Sequence, residues 1–311
     1  MKRVLVTGGS GFVGRACLPR LLERGFEVHA ISPKPQPNDS PVRWQRCDLH
    51  ESSNVGELMQ SLRPTHLLHL AWCTEPNTFW SSPENRRWLE CSLTLFQLFE
   101  KAGGRRMVGC GSCAEYDWSA GICHEERTPL SPSTLYGQSK LAAATSLAAM
   151  NNARLSTAWA RLFFLYGPGA SDRRMPGAVI SALGRNEPAR CSTGTQQRDF
   201  LHVSDAADAI VRLLDSELSD AVNVCSGEAV SIRDMAISVA ELMGKRDLLQ
   251  LGALPQSPHE PPLVVGDCSR LRQELNWSPE FTLEQGLLDT VTHWAASHSR
   301  LSVASRNGHS H

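Results

Sequence analysis

The chain has 311 residues, 41% of them hydrophobic, and a formal net charge of −1. That composition supplies a full apolar core, in one large domain or two unequal ones, and excludes a disordered or fibrous chain. It offers no basic surface for nucleic acid or an anionic membrane, and no apolar run long enough to span a bilayer.

The opening Met-Lys-Arg lacks the long apolar stretch of a secretory signal, so a cytoplasmic location is expected, with the ten cysteines mostly buried as free thiols. Val4-Leu5-Val6 reads as a buried parallel strand near residues 3–7. Thr7-Gly8-Gly9-Ser10-Gly11-Phe12-Val13-Gly14 follows at once and opens a helix over 12–24. Glycines between a strand and a helix let the chain turn tightly, bring backbone close to a phosphate and pack helix on strand. The free N–H groups at the helix start then suit a dinucleotide pyrophosphate, which places Gly8, Gly11, Phe12, Val13 and Gly14 against the cofactor.

A second strand near 26–31 ends at Ile31-Ser32-Pro33-Lys34. An acidic residue there would hold the ribose 2′-hydroxyl of NAD. Ser32 and Lys34 instead suit a 2′-phosphate, so NADP(H) is favoured over NAD(H). Further strands are predicted near 42–47, 66–71, 105–111 and 154–162, and helices near 51–62, 84–102 and 133–150. Six strands alternating with helices predict an α/β fold: a Rossmann-type doubly wound parallel sheet with a smaller C-terminal substrate lobe. Loops near 72–83 and 113–131 should open at the carboxyl edge of the sheet, where ligands bind. The first loop carries Trp72, Phe79 and Trp80, and Trp88 follows it; these could stack a sugar or base face, or pack the lobe interface. Gly167-Pro168-Gly169 leaves the sheet. A strand–helix pair follows near 200–214, then a short strand at 222–224 and a helix start at Ser231, capped by Asp234. The dinucleotide domain is therefore drawn over 1–165 plus about 199–227. The lobe takes about 166–198 and 228–300, with a disordered tail over 301–311.

Tyr136-Gly137-Gln138-Ser139-Lys140 carries the chemistry. Four residues apart on a helix, Tyr136 and Lys140 share one face. An ammonium beside the phenol should lower its pKa and fit it to exchange a proton as hydride moves. Ser112, at the end of the strand near 105–111, can hold the same substrate oxygen; Cys113 is the rival, though a thiol donates poorly. Cys110-Gly111-Ser112-Cys113 has the spacing of a redox or zinc pair, but no second pair accompanies it and a strand end is the wrong setting. The eleven histidines form no metal-binding pattern, so no metal is expected.

With these motifs in order, the chain resembles the extended short-chain dehydrogenase/reductase family, in its nucleotide-sugar epimerase/dehydratase branch, over about residues 1–297. The resemblance implies that Asp48 and Leu49 face the adenine side of the cofactor. Leu70 and Ala71, of His69-Leu70-Ala71, would line the cofactor, with Phe163 nearby. Lys140 would reach the nicotinamide ribose. Gln197-Arg198-Asp199-Phe200 matches a stretch whose arginine meets substrate phosphate, and Leu275-Asn276-Trp277-Ser278-Pro279 resembles a late family motif. Glu75, Cys113, Glu115, Phe164 and Arg198 are the expected substrate residues. Tyr116 is open between touching the sugar and packing. Family 4,6-dehydratases place Asp-Glu after the catalytic hydroxyl residue; here Cys113-Ala114 stands there, which argues against dehydration. Phe164 and Trp88 both replace a family asparagine.

The first expectation is reduction of a nucleotide-linked 4-keto-6-deoxyhexose. The alternatives are NAD-dependent 4-epimerisation of a nucleotide sugar and reduction of a non-nucleotide carbonyl compound. A non-enzymatic binder of NAD(P) is opposed by the retention of Ser112, Tyr136 and Lys140. The family also implies a homodimer through the helices near 84–102 and 133–150.

Overall fold

The computed structural model describes residues 2–36, 40–76, 78–257 and 260–307. Its first half alternates strand and helix: β1 (Arg3–Thr7), α1 (Phe12–Glu23), β2 (Glu27–Ser32), β3 (Arg43–Arg46), α2 (Ser52–Leu62), β4 (His66–His69), α3 (Glu84–Lys101) and β5 (Arg106–Ser112). After a loop that includes the short β6 (Ile122–Cys123) come α4 (Leu135–Ala148), β7 (Ser156–Leu162) and β8 (Phe164–Tyr166). Next are α5 (Gly177–Gly184), β9 (Ala189–Arg190), β10 (Gln197–His202), α6 (Val203–Leu214), β11 (Asp220–Val224) and β12 (Ala229–Ser231). The chain closes with α7 (Ile232–Leu242), β13 (Leu249–Gln250), β14 (Leu263–Gly266), α8 (Ser269–Glu274) and α9 (Leu283–Asn307).

The main sheet is parallel, in the order β11-β7-β5-β4-β1-β2-β3. It has seven strands where six were expected, because the short strand at 222–224 extends to β11 and pairs with β7. Alternate residues of a strand face opposite layers. Val4 and Val6 pack with Cys17, Leu21, Ala206 and Ile210 from α1 and α6. Leu5, Leu67 and Met107 pack with Met59, Phe96, Phe99 and Leu147 from α2, α3 and α4. Burying each such side chain stabilises the fold by about 1.5–3 kcal/mol.

A smaller sheet joins β12, β10, β14 and β6, with β8 on β10. The chain passes from this sheet into α6 at His202–Val203, inside the span 199–227 assigned whole to the dinucleotide domain from sequence. Asp199 ties the two sheets together. Its carboxylate accepts from Ser226 N and Oγ (both 2.7 Å), Gly227 N (2.9 Å) and Gly266 N (3.1 Å). Ser231 caps α7 by accepting from Asp234 N at 2.9 Å, as expected. Helix α9 continues beyond residue 300, into the stretch expected to be a disordered tail; residues 308–311 of that stretch lie outside the described residues. Among the described residues no helix is long and apolar enough to cross a membrane.

Candidate active site

The strand–turn–helix at the start of the chain is built around close backbone contacts. Gly8 has φ +71°, and a Cβ there would lie 2.7 Å from Ala71 N. A Cβ at Gly14 would lie 2.2 Å from Gly8 O. Neither position admits a side chain, so β1, the turn and the tail of β4 close on one another. Helix α1 starts after Gly11 with no side-chain cap and no acidic residue in its first turn, which leaves its N–H groups and positive dipole end for an anion. This cradle fits the pyrophosphate of a dinucleotide.

Ser32 ends β2, buried, and accepts from Lys34 N (3.1 Å) and Gln36 Nε2 (3.3 Å). Its hydroxyl proton remains available to a phosphate, and Lys34 is exposed beside it. Asp48 is half-buried and accepts from His50 N at 3.0 Å; Leu49 is buried. Leu70 and Ala71 follow β4 directly and are fixed to β1: Leu70 N donates to Thr7 O and Ala71 N to Thr7 Oγ1, each at 3.2 Å. Thr7 Oγ1 also meets His69 Nδ1 (2.8 Å), whose Nε2 meets Ser92 Oγ (2.9 Å), which donates to Trp88 O (2.6 Å). Burial, aided by Lys140, pushes His69 down to about 3. The ring is therefore neutral, and the chain of bonds assigns its proton to Nε2.

Ser112, Tyr136 and Lys140 come together at the carboxyl end of β5. Thr134 caps α4 by accepting from Gly137 N at 3.1 Å, and Tyr136 N donates to Trp80 O at 3.1 Å, which fastens the 72–83 loop to the start of α4. The Ser112 hydroxyl lies beside the Tyr136 phenol and acts to lower its pKa. Lys140 Nζ donates to Cys110 O at 2.7 Å and lies 3.9 Å from the centre of the Trp72 ring. The ammonium was expected to lower the phenol. Instead burial dominates and pushes Tyr136 up, against the Ser112 hydroxyl that lowers it. Burial likewise pushes Lys140 down to about 8.

The loop aromatics pack round the phenol. Phe79, Trp80 and Trp72 meet the Tyr136 ring edge-on at 4.9, 5.7 and 6.5 Å. Trp118 meets Trp80 at 6.1 Å and donates Nε1–H to Cys113 O at 2.7 Å. Trp88 lies 6.5 Å from Trp72 and edge-on to His50 at 4.7 Å. Arg174, from the segment before α5, donates to Thr74 O at 2.8 Å and stacks on Phe79 at 4.9 Å. Asn85, Trp118 and Arg174 were not singled out from sequence; their contacts join separate elements, and local spacing carries no sign of them.

The expected substrate residues divide. Glu75 is exposed and pairs with Arg173 at 3.3 Å. Cys113 is buried, and burial raises its thiol, as burial raises Cys110 to about 12; neither favours a thiolate. Glu115, expected against the substrate, is fully buried and held by protein partners. It accepts from Ser112 N (2.8 Å), Trp159 Nε1 (3.0 Å) and Arg161 Nε (2.8 Å). The reason is a capping box, Ser112-x-x-Glu115, that turns the carboxylate back under β5. Tyr116 packs too, donating to Asn223 Oδ1 at 2.7 Å. Arg198 is buried, donating to Glu260 Oε1 (2.9 Å) and to the Gln197 and Pro261 carbonyls, with Phe164 beneath it at 5.6 Å. Phe163 is buried in the cluster that holds Cys113, Cys225 and Val264. Among the described residues no group of three His, Cys, Asp or Glu side chains is arranged to hold a metal.

Comparison with known proteins agrees with this geometry. The chain is 29% identical to the GDP-6-deoxy-D-mannose reductase of Pseudomonas aeruginosa, covering 94% of this chain and 97% of that one. It is 24% identical to a UDP-glucose 4-epimerase of Rhizobium meliloti, over 96% and 97%. The structure of MoeE5 in complex with UDP-glucuronic acid and NAD superposes with a TM-score of 0.83 at 28% identity, over 95% of this chain and 99% of that one. The family model for the NAD dependent epimerase/dehydratase family matches residues 4–225. The chain belongs to that family and is a nicotinamide-dependent enzyme of the extended short-chain dehydrogenase/reductase type.

Proposed function

We propose that the protein reduces the 4-keto group of a nucleotide-linked 6-deoxyhexose, with NADPH favoured over NADH. The observation that carries this reading is the convergence of Ser112 and Tyr136 on the end of β5, beside the buried Lys140 ammonium that donates to Cys110 O. Burial keeps Tyr136 a neutral phenol, the form that can donate a proton. Ser112 holds the ketone oxygen, and Tyr136 delivers its proton to that oxygen. The phenolate so formed has the Lys140 ammonium 6.0 Å from its ring centre. The nicotinamide cofactor, when bound, supplies the hydride. Gly8, Gly11 and Gly14 would seat its pyrophosphate, and Ser32 with Lys34 a 2′-phosphate. Dehydration lacks its acid and base, since buried Cys113 and Ala114 follow Ser112. Arg198 would meet the nucleotide phosphate on releasing Glu260. A homodimer through α3 and α4, and the division into dinucleotide domain and substrate lobe, belong to the same reading.

A second reading is 4-epimerisation, in which C4 is oxidised and then reduced on its other face. The similarity to UDP-glucose 4-epimerases favours it. Mass spectrometry of the nucleotide released from the purified protein, with titration by NADPH and NADH, decides between the two. A protein that carries no nucleotide, binds NADPH the tighter and turns over a nucleotide 4-keto sugar is the reductase. Retained NAD with turnover of an unreduced nucleotide hexose is the epimerase.

A further inference from the structure

We propose that Trp72 is a positioning residue for Lys140: its indole face, locked by the buried Asn85, holds the ammonium at the carboxyl edge of β5. This rests on the reading above only for what Lys140 then does.

The ammonium is an unusual guest where it sits. It is buried, and among the described residues it donates one hydrogen bond, to Cys110 O. Of the groups facing it, one carboxylate, Glu115, favours the ammonium, and it is shared with other donors. The Cys110 thiol on β5 is raised by burial, and His69 on β4 and Tyr136 on α4 are neutral. The Glu115 carboxylate, after β5, is taken up by Arg161 and Trp159. In direct contact with it is an aromatic face: Trp72 at 3.9 Å, with the Trp159 ring more distant at 5.9 Å. The negative face of an indole attracts a cation most strongly where water is excluded.

Trp72 is held in place for this. Its Nε1–H donates to Asn85 Oδ1 at 2.9 Å. Asn85 Nδ2 donates to Phe79 O (2.6 Å) and Ser82 O (2.9 Å). One buried amide thus sets the orientation of the indole and ties down the loop that carries it. The cation contact spans 68 positions of sequence (72 to 140), so the pairing exists only in the fold.

The test reads Lys140 directly and needs neither cofactor nor substrate, so it stands or falls apart from the proposed reaction. The chain has five lysines (Lys2, Lys34, Lys101, Lys140 and Lys245). An NMR titration of isotope-labelled lysine side chains, with Lys140 assigned by Lys140→Arg, follows its charge with pH. With burial pushing it down to about 8, the wild-type group should titrate near there. Trp72→Phe loses the bond to Asn85 and the stronger indole face but keeps a ring, and lowers the midpoint by less than Trp72→Leu, which loses both and lowers it by about one unit. A fluorinated tryptophan at position 72 keeps the shape and the hydrogen bond while weakening the negative face, and lowers the midpoint even if Trp72→Leu does not fold. An unmoved midpoint in both the leucine and the fluorinated proteins, or an equal fall in the phenylalanine protein, overturns the proposal.

Discussion

Burial acts on Tyr136 and Lys140 in the same direction, towards neutrality, and this gives the lysine a measurable cost. Its folded pKa, about 8, lies below the unfolded value of about 10.4. Below pH 8 both states are protonated and the full penalty weighs on the fold. Between those values the unfolded state binds more protons, so stability rises with pH. Lys140→Met should therefore gain most over the wild type below pH 8, with the gap closing towards pH ~10; urea unfolding across that range measures it. Glu115 makes the opposite case. Glu115→Gln leaves the Arg161 guanidinium buried without its carboxylate and should cost about 3–5 kcal/mol in urea unfolding, with Arg161→Ala no milder. Ser112, Tyr136 and Lys140 were legible in sequence because spacing on one strand end and one helix face is local. The protein partners of Glu115 were not legible, for the complementary reason. The capping box was there to be read, but Trp159 and Arg161, which make the carboxylate structural, arrive from the next strand of the sheet.

At the scale of elements, the most informative unit is β1, its turn and α1. Gly14 stands 2.2 Å, measured from an added Cβ, from Gly8 O. Gly14→Ala must push the helix off the strand, at about 1–3 kcal/mol of overpacking. It should weaken NADPH and NADH binding by about tenfold or more, as read by fluorescence titration, while far-ultraviolet circular dichroism stays close to wild type. The alternation of β1 to β5 with α1 to α4 was readable because β1, β2 and β5 carry buried apolar residues and turn residues bound the strands; the polar β3, Arg-Trp-Gln-Arg, was placed by its position in that alternation. The small sheet was not. β6, β8 and β12 span two or three residues each, too short to show a period.

For the molecule as a whole, the candidate site is roofed by two segments distant in sequence. Arg173 and Arg174 reach from the stretch before α5 to Glu75, Thr74 and Phe79 of the 72–83 loop. Arg174→Ala unfastens that roof without touching the core. Acrylamide should then quench tryptophan fluorescence more strongly, while Tm moves by no more than about 2–3 °C; an unchanged quenching constant would mean that the roof is held by the aromatics alone.

The Asp199 carboxylate adds a consequence for how the protein moves. Its four acceptor bonds run to the segments that follow β11 and end β14, so the large and small sheets share a rivet. Breathing of one sheet against the other would strip that carboxylate of its Ser226 and Gly227 donors together, leaving only Gly266 N of its own sheet. Entry to the cleft is therefore left to the surface loops, on a faster clock than any hinge between lobes. In native-state hydrogen exchange, the amides of Ser226, Gly227 and Gly266 should open only with global unfolding, while those of the 72–83 loop exchange through small local fluctuations.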